Sequence, residues 1–442
     1  MTGVPGALFT HGIGGRQDLP IPFAFALTGA AVTLVVSFVL LGLLWRDPRL
    51  RGDDAGRPLP QVLQTVLDAP AFVWFGRAIG LLLVGYVLVA ALVGPDLATN
   101  PTAGAVYVLF WVGLVPASVL LGPVWRRLNP LRTVHYLLSA VLRTDPEQGL
   151  RPVPRGLGYW PAAVGLFAFV WLELVAPDRA TLPVLLTWFG VYAGIHLLAA
   201  AVYGSGWFDR GDAFEVWSGL FARLSPFGRR SDGVLVVRHP LDGMAGLRSA
   251  PGLVAVVSVM LGSTAYDGIS NAPFWVARQQ SSDSPTLFGT AGLLGLIIAV
   301  AATYVAATVV SGRSLQRSSR ELPGEFAHSL VPIALGYVVA HYYSLFVLEG
   351  QRAVVHLSDP FSDGSDVFGF SGRDPSAAGI TPTGVATLQV AAVVVGHVLG
   401  VVLAHDRAAR CFPPGEALVR QLPLLALMVA YTVGGLLLLF AG

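Results

Sequence analysis

Apolar runs of roughly twenty residues alternate with short polar stretches along the whole chain. Such a run, wound as a helix, is long enough to cross the hydrocarbon core of a bilayer. The pattern predicts ten. The first five cover Ile21 to Trp45, Phe72 to Val93, Ala105 to Val124, Gly158 to Ala176 and Thr181 to Tyr203. The second five cover Gly252 to Ile269, Leu287 to Val310, Phe326 to Leu348, Gly384 to Ala404 and Leu422 to Phe440. The sixth is the least continuous, because Gly262, Ser263, Thr264 and Asp267 interrupt its far end. The expected fold is therefore an all-α polytopic transmembrane helix bundle of about ten spans. Its segments are a tail over 1–20, five spans over 21–203, an interfacial loop over 204–250, and five further spans over 251–442.

Arginine placement orients the bundle. Arg46, Arg49, Arg51 and Arg57 follow the first span, and Arg126, Arg127, Arg132, Arg143, Arg151 and Arg155 follow the third. Arg210, Arg223, Arg229, Arg230, Arg238 and Arg248 follow the fifth, Arg313, Arg317 and Arg320 the seventh, and Arg407, Arg410 and Arg420 the ninth. The intervening loops offer only Arg16, Arg179, Arg278, Arg352 and Arg373. Short loops rich in arginine stay cytoplasmic, so both termini are expected on the outer face. A tail on that face usually follows a cleaved leader. The ten residues before His11 are too short for one, so either the tail crosses as it stands or the chain starts further upstream.

Composition sharpens this picture. Apolar residues make up 54% of the 442 and charged residues 12%, against about 25% charged in a soluble domain. A bilayer is the expected partner of so much apolar surface. The net charge of +2 and the lack of basic stretches interleaved with aromatics exclude a nucleic-acid partner. All basic residues are arginine, as in GC-rich bacterial genomes, which points to a bacterial plasma membrane. The single cysteine, Cys411, excludes an intramolecular disulfide and a Cys-pair zinc site.

Two arginine-rich loops carry amphipathic stretches, Leu131 to Arg143 and Asp212 to Arg223, which read as helices lying in the membrane interface. Trp207 and Trp217 would then sit near headgroup depth. Arg77, just inside the second span, reads as a snorkelling side chain.

Ionisable residues inside a bilayer are costly and mark functional sites by default. The richer group is expected in the outer half: Glu173 at the end of the fourth span, Tyr266 and Asp267 at the end of the sixth, and His341, Tyr342, Tyr343 and Glu349 in the eighth. His356, Asp359, Asp363 and Asp366 follow, and His11 and Asp18 of the tail lie on the same side. His341, Asp267 and Glu173 are the candidate catalytic residues; with Glu349 and His11 they are also candidate ligands of a divalent metal, since imidazole and carboxylate bind such ions. The plainer reading is that each completes a hydrogen bond in the bundle or marks the water boundary. In the inner half, His196 and His397 stand at equal depth on two helices, as a bis-histidine haem or a shared metal would need; His328 and His405 lie at helix ends. The run HLSDPFSDGSD lacks the ligand spacing of an EF-hand and reads as a solvated turn around Pro360 and Gly364. Nucleophile-elbow, HExxH, P-loop and Rossmann signatures are missing from the sequence.

Six stretches together resemble an actinobacterial family of multi-pass membrane proteins commonly labelled fenitrothion hydrolase. They are HGIGGRQDLPIP (His11 to Pro22), VWRRLNPLR (Val124 to Arg132), WPAAVGLFAFVWLELV (Trp160 to Val175), STAYDGIS (Ser263 to Ser270), AHYYSLFVLEGQ (Ala340 to Gln351) and GHVLGVVLAHDRA (Gly396 to Ala408). The resemblance implies hydrolysis of an organophosphate triester and assigns no catalytic residue. Three function classes stay open at this point: a membrane-embedded, metal-assisted hydrolase; a transporter for a metal ion or small solute, since five plus five spans is the arithmetic of inverted repeats; and a non-catalytic assembly subunit.

Overall fold

The computed structural model describes residues 16–315, 318–413 and 415–440. The protein is an all-α polytopic helix bundle. Among the described residues nine helices are long and apolar enough to cross a membrane. In chain order the helices that matter here are α1 (Phe23–Leu44), α2 (Gln61–Asp68), α3 (Pro70–Val93), α4 (Pro101–Leu121), α5 (Val124–Leu128) and α6 (Pro130–Leu142). They continue with α7 (Trp160–Leu174), α8 (Leu182–Tyr203), α9 (Ala213–Ala222), α10 (Leu253–Ser270) and α11 (Pro285–Val310). The last are α12 (Leu330–Ser358), α13 (Pro382–Cys411) and α14 (Leu422–Leu439).

The helices sort into an outer ring and an interior. Val191, Ile195 and Leu198 of α8 and Leu82 and Leu83 of α3 are all more than half exposed. An apolar belt of this extent belongs against lipid, since water-facing surfaces rarely carry one. By contrast, α10 and α12 are mostly enclosed by other helices. The hub is α12, which packs against α4, α9, α10, α13 and α14. Its crossing with α13 is close because glycines face backbone there. A Cβ at Gly396 would lie 2.6 Å from the Pro332 carbonyl oxygen, and one at Gly336 would lie 2.5 Å from that of Ala392. Small residues that let backbones approach are a common way to hold membrane helices together.

Three sequence expectations change. The apolar run over 158–176 yields only the 15-residue α7, about 22 Å long at ~1.5 Å per residue and shorter than a hydrocarbon core of about 30 Å. Gly158 has a positive φ of 47° and Pro161 opens the helix, while Pro177 follows its end, so the run's flanks are not helical. The sixth span is not broken: α10 runs through Gly262, and the Ser263 and Thr264 hydroxyls donate back to the Met260 carbonyl at 3.3 and 2.9 Å. Finally, α9 does not lie on the surface. Nine of its ten residues are buried, packed among α4, α5, α7 and α12. The other amphipathic stretch, α6, does keep Leu137, Leu138, Val141 and Leu142 exposed. A small antiparallel sheet joins 57–58, 235–237 and 227–229 on the arginine-rich side.

Candidate functional site

The last turn of α10 carries Asp267. The Ser270 hydroxyl and the Asn271 side-chain amide both donate to the Asp267 carbonyl at 3.0 Å, which closes the helix just beyond it. Opposite, α12 presents His341 and Tyr342 in succession. The His341 Nε2 lies 2.8 Å from Asp267 Oδ2, and the Tyr342 hydroxyl donates to the same oxygen at 2.8 Å. Neighbouring residues on a helix point about 100° apart. They can reach one acceptor only if it sits in the groove beside the helix, and burying α10 against α12 puts Asp267 there. Asp267 is 6% exposed and Tyr342 9%.

The wall facing this cluster is the irregular part of α4. Residues Ala105–Val112 are π-helical and pack on α12. Short π segments inside longer helices are frequent at functional sites. This one holds Tyr107, whose hydroxyl donates to the Arg179 carbonyl at 2.8 Å, and Trp111. Glu173, in the last turn of α7, is half-buried, within hydrogen-bonding reach of Trp111 and close enough to Asp267 and Arg179 for their charges to interact. Two carboxyl groups, an imidazole and two phenols thus share one enclosed region. Each can gain or lose a proton, and in a low-dielectric interior their protonation states are coupled.

The remaining expected site residues lie elsewhere. Glu349 is two turns further along α12 and binds Arg352 through both carboxylate oxygens, at 2.7 and 2.8 Å. It lines a cavity of about 30 Å³ with Asn100, Arg352, Ala353 and His356. His11 lies outside the described residues. Among the described residues no three His, Cys, Asp or Glu side chains converge as metal ligands, so His341, Asp267, Glu173 and Glu349 do not form a completed ligand set. His196 accepts a hydrogen bond from the Trp207 indole at 2.9 Å and meets the Tyr192 ring at a tilt, with centroids 4.2 Å apart. His397 bonds the Val393 carbonyl through Nδ1 at 2.8 Å and meets Tyr337 edge-on. The first helix packs on α3 and α6, the second on α1, α12 and α14, and the two rings have separate surroundings. His405 accepts from Gln421 on Nδ1 and meets the Trp45 carbonyl through Nε2 at 3.0 Å. In the acidic loop, Asp359 accepts the backbone N–H groups of Asp363 and Gly364, both at 3.1 Å, and so closes its own turn.

A second buried cluster, on the arginine-rich side, escaped the sequence reading. Asn129 caps α6 by accepting from the Leu131 and Arg132 N–H groups, and Asp212 caps α9 by accepting from Phe214 and Glu215. The two caps join, as the Asn129 side-chain amide donates to Asp212 at 3.0 Å and to Glu215 at 3.1 Å. Arg132 then grips Glu215 with two hydrogen bonds, 2.6 and 3.2 Å, and reaches Asp209 at 2.8 Å. The signal was present as two cap residues, each three positions before a charge: Asn129 before Arg132 and Asp212 before Glu215.

Comparison with known proteins gives no match: no protein-family model, no curated protein and no solved structure is significantly similar to the chain. Function must therefore be argued from the cluster itself.

Proposed function

We propose that this multi-pass membrane protein is a proton-coupled carrier of a small solute, with Asp267 and His341 as its proton site. The observation that carries this reading is the double contact on one buried oxygen, His341 Nε2 and the Tyr342 hydroxyl each 2.8 Å from Asp267 Oδ2. A proton moving from His341 to Asp267 turns an ion pair into two neutral groups. The balance between those states depends on what else is near, including Glu173 and a bound solute. Buried carboxylate and histidine groups are the usual proton relays of membrane carriers. The cluster also joins two interior helices, α10 and α12, so a change of charge there bears directly on how they pack.

The test uses the purified protein in liposomes with an imposed pH gradient, screened against small cations, organic acids and metal ions. Loss of gradient-driven uptake in Asp267→Asn, with the variant still monodisperse, is the expected result. Uptake that ignores the pH gradient would overturn the reading.

A second reading follows from the resemblance and from the same contact. A carboxylate 2.8 Å from an imidazole nitrogen is how hydrolases orient a histidine base. On this reading the substrate is an organophosphate triester arriving through lipid. Release of the aryl alcohol without any gradient, lost in His341→Gln, would favour it over transport.

A further inference from the structure

Near the arginine-rich end of α3 two guanidinium groups lie over aromatic rings. Arg77 lies over Trp74 and over Tyr136 of α6, with its Cζ 4.8 and 4.0 Å from the ring centres. Arg127 of α5 lies over Phe72 of α3 at 5.5 Å. Both are half-buried. Neither donates to a carboxylate among the described residues. The nearby carboxylates are already occupied: Asp68 by Arg229, Asp209 by Arg126 and Arg132, and Glu147 by the hydroxyls of Tyr136 and Ser205. Burial, together with the neighbouring Arg229 guanidinium, holds the pKa of Arg127 below the ordinary arginine value. Neither guanidinium is therefore held by a carboxylate of its own among the described residues.

The two arginines stand on neighbouring segments because α3 and α5 meet backbone to backbone. A Cβ at Gly76, beside Arg77, would touch the Arg127 Cβ at 3.6 Å. Gly80 packs so closely on the Leu128 carbonyl that only glycine fits there. Beside them the surface is apolar and open: Phe75, Leu82 and Leu83 of α3 and Leu138, Val141 and Leu142 of α6 are all strongly exposed. Two arginines without a carboxylate partner among the described residues therefore sit at the foot of an exposed apolar wall.

We propose that Arg77 and Arg127 bind the phosphate of an anionic phospholipid headgroup, with its acyl chains lying along α3 and α6. Guanidinium groups are suited to phosphate oxygens. The exposed leucines favour a lipid over free phosphate, which would leave that wall uncovered.

The experiment is a native mass spectrometry titration of the delipidated full chain. The probes are phosphatidylglycerol, phosphatidylcholine with the same acyl chains, and inorganic phosphate. Phosphatidylglycerol is expected to bind best, and Arg77→Gln with Arg127→Gln to weaken it roughly thirtyfold, at about 1 kcal/mol per arginine. Arg155→Gln, exposed on the same side, should change nothing. If the double variant is not recovered folded, Arg127→Gln alone should still weaken binding roughly fivefold. Equal binding of phosphatidylcholine or inorganic phosphate, unchanged affinity in the variants, or an equal loss in Arg155→Gln would each overturn the proposal.

Discussion

Two of the places where the bundle buries ionisable side chains together are built from different chemistry. On the arginine-rich side Arg132 and Glu215 form a two-bonded pair, fixed by Asn129 and Asp212, which also cap α6 and α9. Arginine does not release its proton in a protein, so the Arg132 guanidinium stays charged and its bonds to Glu215 and Asp209 hold α6 against α9 and the turn before it. In the last turn of α10, Asp267 is met instead by the His341 imidazole and the Tyr342 hydroxyl, each 2.8 Å from one carboxylate oxygen. A proton can pass between its imidazole and its carboxylate, so the charge there can be distributed in more than one way. Burial alone therefore does not mark function. What separates a lock from a working site is whether the buried groups can change charge.

The largest expected effect comes from breaking the lock. Glu215→Ala leaves Arg132 buried opposite only the half-exposed Asp209, and losing one partner of a buried pair costs about 3–5 kcal/mol. Thermal unfolding in detergent should show this as a large fall in Tm. Replacing both, Arg132→Met with Glu215→Leu, should recover much of it, because a packed apolar pair carries no desolvation cost. A Glu215→Ala protein as stable as the parent would remove the distinction between the two clusters.

At the outer cluster the expected effect on stability is smaller, and the effect on protonation larger. Asp267→Asn keeps an oxygen that can accept from Tyr342 and should cost about 1 kcal/mol. It should abolish any carboxyl band attributable to Asp267 in pH-difference infrared spectra. Tyr342→Phe removes one neutral hydrogen bond, again about 1 kcal/mol, and should move that band without erasing it. A fall in Tm for Asp267→Asn as large as that for Glu215→Ala would make this cluster a lock as well.

Much of this arrangement could be read from the chain, and the parts that could not share a cause. Asp267, His341 and Glu173 stand out because charges within apolar runs are few. Their depth follows from counting residues along a helix. Depth does not say which helices are neighbours, and that is why equal depth misled for His196 and His397, which lie in separate surroundings. The same limit hid α9. Its arginine flanks and mixed pattern match a surface helix, and only packing among α4, α7 and α12 buries it. Run length overstated α7 because apolar residues outside the helix, such as Val175 and Ala176, count as readily as those within it. The π segment of α4 has no signature in its apolar run, although it supplies Tyr107 and Trp111 to the site.

The smallest effect tests where the lock ends. Glu147 lies at its rim, accepting from the Ser205 hydroxyl at 2.6 Å and from the Tyr136 hydroxyl. Those hydrogen bonds hold its pKa below the usual carboxylate value; partial burial opposes them, and the charges of Arg132 and Arg126 assist. A depressed folded-state pKa adds stability that is complete above the unfolded value and is lost as pH falls through the folded one. The advantage of the parent over Glu147→Gln should therefore be present near neutrality and shrink below about pH 4.5. Tm measured at stepwise lower pH reads this directly. Because Glu147 is largely open to solvent, added salt should also shrink the gap, whereas the cost of Glu215→Ala should resist salt. If both respond to salt alike, Arg132 and Glu215 are as solvated as the rim, and the arginine-side cluster is a surface network rather than a buried lock.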